Sequence, residues 1–225
     1  MRILALETSG TAGSVAALCD DNLLCQIELD PATKSARSLI PAIDSIWREV
    51  GWEPADVELI AIGTGPGSFT GLRVGVTVAK MLAYVTHAHL LGVNTLAAVA
   101  QGLPGSVRVV SVAIDAQRGE VAAQLFCRND AGCLASIGTE ELLSVDAWLA
   151  GLPEGAELAG PVLHKLAKVL PPKVALLDPQ FWNPTAASVG QLALREYQAG
   201  RRGDVWNLTP HYIRRAAAEE KRLKG

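Results

Sequence analysis

Gly63-Thr64-Gly65-Pro66-Gly67-Ser68-Phe69-Thr70-Gly71-Leu72-Arg73-Val74-Gly75 joins an apolar run, Val57–Ile62, to a long helical pattern that ends near Thr86. A strand that empties into a glycine-rich turn and then a helix start points backbone N–H groups at an anion. No Lys-Ser or Lys-Thr pair follows the glycines, so the stretch is not a phosphate-gripping P-loop. Nor is it a nucleophile elbow, because Pro66 and Thr70 stand two residues either side of Ser68, where glycines are required. We read it as a turn built for backbone shape and helix packing, not for side-chain chemistry.

Outward from this turn the chain repeats itself. Cys19 and Cys127 are 108 positions apart, and so are Cys25 and Cys133. At that offset Leu4, Leu6 and Glu7 fall on Val112, Ile114 and Asp115. The strand-like runs Ile3–Glu7 and Ser111–Asp115 therefore both end in an acid. Each is followed by a second β run (Ser14–Cys19; Glu120–Cys127), a short polar turn, and a third (Leu23–Leu29; Cys133–Ile137). Matched strands and turns over this length indicate two related units.

The first unit continues as helix, strand, helix and strand. Leu39, Ile43, Ile46, Trp47 and Val50 recur at helical spacing, and a start near Ser38 leaves Pro41 in the first turn, where no N–H is missed. Val57–Ile62 is a strand, Phe69–Val85 a helix N-capped by Ser68 or Thr70, and His89–Val93 a strand. The second unit is looser: helices at Val145–Leu149, Val162–Leu170 and Ala186–Tyr197, strands near Glu157–Ala159 and Val174–Leu177. Gly102, Pro104 and Gly105 mark the junction, giving units of residues 1–102 and 103–225. The pattern is α/β, with mixed sheets flanked by helices.

Composition narrows the function classes. With 49% hydrophobic and 19% charged residues the chain is expected to be fully folded. A net charge of −3 argues against a chain that grips RNA by itself. Glu7 interrupts any signal-peptide core and no apolar run approaches 18 residues, so a cytoplasmic protein with four reduced cysteines is expected, with no membrane partner.

The stretches Ile3–Ser9 (ILALETS), Gly65–Gly75 (GPGSFTGLRVG), Asp115–Val121 (DAQRGEV) and Thr209–Arg215 (TPHYIRR) resemble the TsaB (YeaZ-type) family over essentially the whole chain. That family supplies a non-catalytic subunit of the bacterial complex that makes threonylcarbamoyladenosine next to the tRNA anticodon. The resemblance implies duplicated ribonuclease H-like units of the actin/Hsp70/sugar-kinase superfamily. It also implies a TsaD-type transferase and a TsaE-type ATPase as partners, tRNA contacted mainly through the complex, and a homodimer as a further possibility.

In that superfamily ATP sits between the halves. The matching cleft residues here are Glu7, Thr8, Ser9 and Asp115. Glu7 replaces the usual Asp, which octahedral magnesium tolerates poorly. Ala116-Gln117-Arg118 follows the second acid instead of a glycine turn, and Pro161 in the adenosine segment Leu158–Pro161 offers no N–H. We expect a vestigial cleft and no cofactor in the isolated chain, with a nucleotide only at a heteromeric junction. Asp115 is either a leftover ligand or an acid that caps the turn to Gly119.

TsaD-type relatives carry an H-x-x-x-H pair for a metal. His87, His89, His164 and His211 contain no such pair, so no metal site and no catalytic residue are expected. The alternative is a small-molecule kinase or ATPase of the same fold; a metallopeptidase is disfavoured by the missing histidines.

Gly71, Gly75, Ala79 and Ala83 form a ridge of small residues at four-residue steps, which lets another backbone approach closely. That ridge packs either on its own sheet or on a partner. The family pairs through its first two helices, with itself or with TsaD, so the expected interface is Leu39, Ile43, Gly67, Ser68, Gly71, Leu72, Gly75, Val76 and Ala79. Lys34–Ser38 replaces a histidine common in relatives, and the tail from Arg214 to Gly225 carries five basic and two acidic residues. Such a tail suits either a solvated helix or an RNA or partner contact.

Overall fold

The computed structural model describes residues 1–11, 13–31, 35–172 and 174–214. Strands β1 (Arg2–Glu7), β2 (Ser14–Cys19) and β3 (Asn22–Glu28) form a meander, followed by α1 (Ser35–Val50), β4 (Leu59–Gly65), α2 (Phe69–Thr86), β5 (His89–Asn94) and α3 (Thr95–Gln101). The pattern repeats as β6 (Val109–Asp115), β7 (Glu120–Arg128), β8 (Leu134–Ser144), α4 (Val145–Ala150), β9 (Glu157–Ala159), α5 (Leu163–Leu166), β10 (Ala175–Leu176) and α6 (Ala186–Gln198). The sheet orders, β3-β2-β1-β4-β5 and β10-β9-β6-β7-β8, are equivalent under the duplication. In each, the meander is antiparallel and the following strand pairs parallel to the first.

The period-2 alternation of β1 explains the layers. Leu4 and Leu6 face α1 and α2, while Ile3 and Ala5 face α6. β4 divides the same way, Ile60 and Ile62 against Leu59 and Ala61, so the sheet centre is buried on both sides. In the second sheet Val110, Val112 and Ile114 join Leu96, Val99 and Ala100 of α3, and Ala113 lies with Trp148 and Leu163.

Strands therefore divide near residue 102, but helices do not. α3, from the first unit, packs on the second sheet; α6, from the second, packs on the first. Gly190 allows this, since a Cβ there would lie 2.6 Å from Leu18 Cδ1. The first turn of α6 is capped by Thr185 Oγ1 on Ser188 N–H and by two residues of the other unit. Ser14 Oγ accepts from Ala186 N–H at 2.8 Å, and Gln26 Oε1 from Ala187 N–H at 2.9 Å.

Four elements differ from the sequence reading. α1 begins at Ser35, so Pro41 lies in the second turn, on the exposed side, and its carbonyl accepts from Ser45 Oγ. α3 was not anticipated; Thr95-Leu-Ala-Ala-Val-Ala-Gln shows little amphipathic contrast, and its signal is Asn94, which caps Leu96 and Ala97 N–H. β8 runs on to Ser144, past Gly138 at positive φ and a register shift opposite Ala123/Leu125. The helix expected over Val162–Leu170 is only Leu163–Leu166. Among the described residues no helix is long and apolar enough to cross a membrane.

The caps on α6 generate a test. Ser14→Ala leaves a buried N–H unpaired, a cost of about 1–3 kcal/mol, so the melting temperature is expected to fall by roughly 2–12 °C. An unchanged calorimetric melt would show that the exchanged helix does not rely on this contact.

Candidate functional site: a cleft closed by its own glycine loop

At the end of β1, residues Glu7-Thr8-Ser9 run beneath the glycine-rich turn, and all three are buried. Four of the five glycines in Gly63–Gly75 sit over one of them. A Cβ on Gly63 would collide with the Glu7 carboxylate, on Gly67 with Ser9, on Gly71 with the Thr8 carbonyl, and on Gly75 with the Thr8 hydroxyl. Ser68 N–H donates to Ser9 O at 2.7 Å, and Ser68 Oγ caps Gly71 N–H at 3.3 Å. The Ser68 and Gly71 N–H groups are thus spent on the chain itself.

The Glu7 carboxylate accepts from Ser9 N–H through Oε1, while Oε2 and the Thr8 hydroxyl are buried without a hydrogen-bond partner. Burial pushes the Glu7 carboxyl above its ordinary range, against the opposing pull of hydrogen bonds from Ser9 and Thr8. A fully buried carboxyl beneath glycine backbone is poorly placed to hold a hydrated cation.

Asp115 closes β6 in another way. Its Oδ1 accepts from Gln117 N–H at 2.8 Å, and Oδ2 pairs with Lys165. Gln117, Arg118 and Gly119 all have positive φ, so the acid caps the tight turn into β7. Partial burial would raise its pKa, but hydrogen bonds from Lys165 and Gln117 outweigh this and hold it below the usual range. In the adenosine-like segment, Gly160 at φ +116° packs on the Ala113 backbone. Among the described residues no three His, Cys, Asp or Glu side chains gather in a metal-binding group.

The small-residue ridge needs correction. Leu39, Ile43, Leu72, Val76 and Ala79 are buried within the chain, and Gly71 and Gly75 face Thr8. The close approach that their size permits is to β1 and β4, so in this chain the ridge packs on its own sheet. Of the nine expected interface residues only Gly67 and Ser68 are exposed. The Arg214–Gly225 tail lies outside the described residues, apart from Arg214, which pairs with Glu120.

What α2 offers to solvent is its opposite side. Thr70, Arg73, Thr77, Met81 and Tyr84 follow one another at three- and four-residue steps and are exposed. Met81, Tyr84 and Val85 are 49%, 63% and 68% exposed, and Trp206, at 74%, meets Tyr84 edge-on at 5.8 Å. At the other end Arg73 lies 4.0 Å over Phe69 and donates from Nε to Tyr212 OH at 3.0 Å. This face escaped the sequence reading because α2 is apolar on both sides; its cue was Met81, Tyr84 and Val85 lying off the small-residue ridge.

The buried acid yields a pH-dependent expectation. Because folding raises the Glu7 pKa, the native state keeps a proton that the unfolded chain has lost. Its favourable contribution is complete below the ordinary carboxyl value and is lost as pH rises toward and through the folded one. Glu7→Gln keeps the acceptor for Ser9 N–H and removes the titration. In urea unfolding across pH, the variant is expected to exceed the parent at neutral pH, with the gap shrinking toward pH 4.5; a pH-independent gap would contradict a raised Glu7 pKa.

Comparison with known proteins accords with this architecture. Residues 30–220 match the family model described as TsaD, tRNA N6-adenosine threonylcarbamoyltransferase. The chain is 31% identical to the tRNA threonylcarbamoyladenosine biosynthesis protein TsaB of Escherichia coli K12, over 98% of both chains. It is also 31% identical to the Bacillus subtilis 168 protein of that name, over 98% of this chain and 97% of that one. YeaZ from Pseudomonas aeruginosa superposes with a TM-score of 0.82 at 28% identity, covering 94% of this chain and 99% of that one. The activator of 2-hydroxyisocaproyl-CoA dehydratase from Clostridium difficile, at 10% identity and a TM-score of 0.51 over 91% and 99%, shares the fold alone. With full-length identity to two TsaB proteins and the closely superposing YeaZ fold, the chain belongs to the TsaB (YeaZ-type) family.

Proposed function

We propose that this chain is a non-catalytic subunit in the synthesis of threonylcarbamoyladenosine next to the tRNA anticodon, and that it acts by docking a TsaD-type transferase. Its E. coli and B. subtilis relatives are named for that biosynthesis. A TsaE-type ATPase completes the assembly, and tRNA is met chiefly through the complex. One observation carries the reading: the exposed stripe on the outer side of α2, which presents Met81, Tyr84 and Val85 at its C-terminal end and Arg73 at its start. Exposed Arg73, Met81 and Tyr84 on α2, with Trp206 beside Tyr84, are of the residue types that dominate interface energetics.

Among the described residues, no feature specifically favours the kinase or ATPase alternative. The acid that would serve magnesium lies beneath Gly63, and Asp115 is held by Gln117 and Lys165. The same stripe would also serve self-association of the chain, which sedimentation of the isolated protein reads directly.

The stripe gives the experiment. Met81→Asp/Tyr84→Asp places two charges in the proposed contact. Both positions are exposed, so the melting temperature of the isolated chain is expected to stay put. Affinity for the TsaD-type partner, by calorimetry or sedimentation, is expected to drop about a hundredfold or more, as for loss of interface hot spots. Undiminished affinity would rule out this face.

A further inference from the structure

The segment that follows α6 lies along the first sheet and α2 and is tied to both lobes. Gly203 abuts the Leu90 backbone, where a Cβ would collide with the carbonyl. Lys80 Nζ donates to Trp206 O and Leu208 O at 3.0 and 3.2 Å. His211 N–H donates to Thr64 O at 2.7 Å, and its carbonyl presses on Gly65, at the start of the glycine turn. Tyr212 then stacks on Phe69, 4.7 Å between ring centres, and accepts from Arg73. These are contacts with the first lobe.

One residue of the second lobe reaches into this arrangement. Glu140, on β8, has a side chain only 12% exposed and lies against two segments at once. Its Oε2 accepts from Asn94 Nδ2 at 3.0 Å, and its Oε1 lies 3.1 Å from His211 Nε2. Asn94 has a defined orientation, because its Oδ1 already caps α3. A second tie joins Arg214 to Glu120 at the start of β7. The strap is thereby held by the second lobe at both sides of Tyr212.

We propose that residues 203–214 form an interlobe latch in which Glu140 is the positioning residue. Through His211 it fixes the glycine turn and the Phe69–Arg73–Tyr212 cluster at the start of α2, so the second lobe sets the shape of the first lobe's outer face. The link to assembly rests on the docking face proposed above; the latch itself is intramolecular. A largely buried carboxylate shared by two donors resists loss more than an exposed pair would. Gln at the same position still accepts from Asn94 and can donate to the other His211 tautomer, whereas Ala can do neither.

Hydrogen exchange on the full chain separates a latch from a merely stabilising contact. In Glu140→Ala, exchange across residues 204–213 and 64–72 is expected to quicken about tenfold, the effect of losing one charge-assisted hydrogen bond. β6, β7 and α6 are expected to stay unchanged, and Glu140→Gln to stay near the parent. Should Glu140→Ala not fold, His211→Ala, whose ring is half exposed, is expected to quicken the same two stretches. Unchanged exchange at 64–72, or a uniform rise across the chain, would overturn the latch. In a parallel titration with the TsaD-type partner, Glu140→Ala is expected to bind about tenfold more weakly. A parent chain that fails to bind that partner would refute the docking function and leave the exchange result to judge the latch.

Discussion

Four glycines packed on three buried residues set the terms for the rest of this molecule. Gly63, Gly67, Gly71 and Gly75 lie so close to Glu7, Thr8 and Ser9 that any side chain would collide. Glycine is required here for proximity, and only Gly65 in the same turn also has a positive φ, +122°. Because the ridge of α2 is pressed against the end of β1, the other side of the helix must face outward. The space beneath the turn is occupied by the chain itself. The filled space beneath the turn and the exposed helix face are therefore two results of one packing choice.

Duplication supplies the frame on which this happens. Two equivalent sheets each lend a helix to the other, and α6 is stitched onto the first sheet by Ser14 and Gln26. A polar contact between the units recurs at Glu140 with Asn94, and Glu140 and Glu120 also hold His211 and Arg214 of the strap that lies on the first sheet. Helix exchange and these ties make it physically reasonable that a change in one lobe is felt on the surface of the other.

Much of the fold was legible beforehand because strands announce themselves locally. The meanders, the acid at the end of each first strand, and a start of α2 at Ser68 or Thr70, of which Ser68 is the cap, all follow from alternation and capping chemistry. Orientation was the harder question. Gly71, Gly75, Ala79 and Ala83 say that some backbone comes close, but four-residue spacing is the same whether that backbone is the chain's own strand or another protein. The strap was missed for a related reason. Thr209–Arg215 has no periodicity, and its meaning lies in contacts such as His211 with Thr64 and Glu140, far apart in sequence. For Asp115 the capping alternative had a local cue, the turn ending in Gly119, and the acid does accept from Gln117 N–H there.

The central proposal is that the packing of the glycine turn on Glu7, Thr8 and Ser9 leaves no room for a nucleotide there, so that the chain acts through its surface. Titration calorimetry of the isolated chain with Mg-ATP tests this most directly. The account predicts no saturable heat up to millimolar nucleotide, for the parent and for Glu7→Ala alike. Micromolar binding by the parent that is lost in Glu7→Ala would show that the cleft opens and that Glu7 serves a ligand after all.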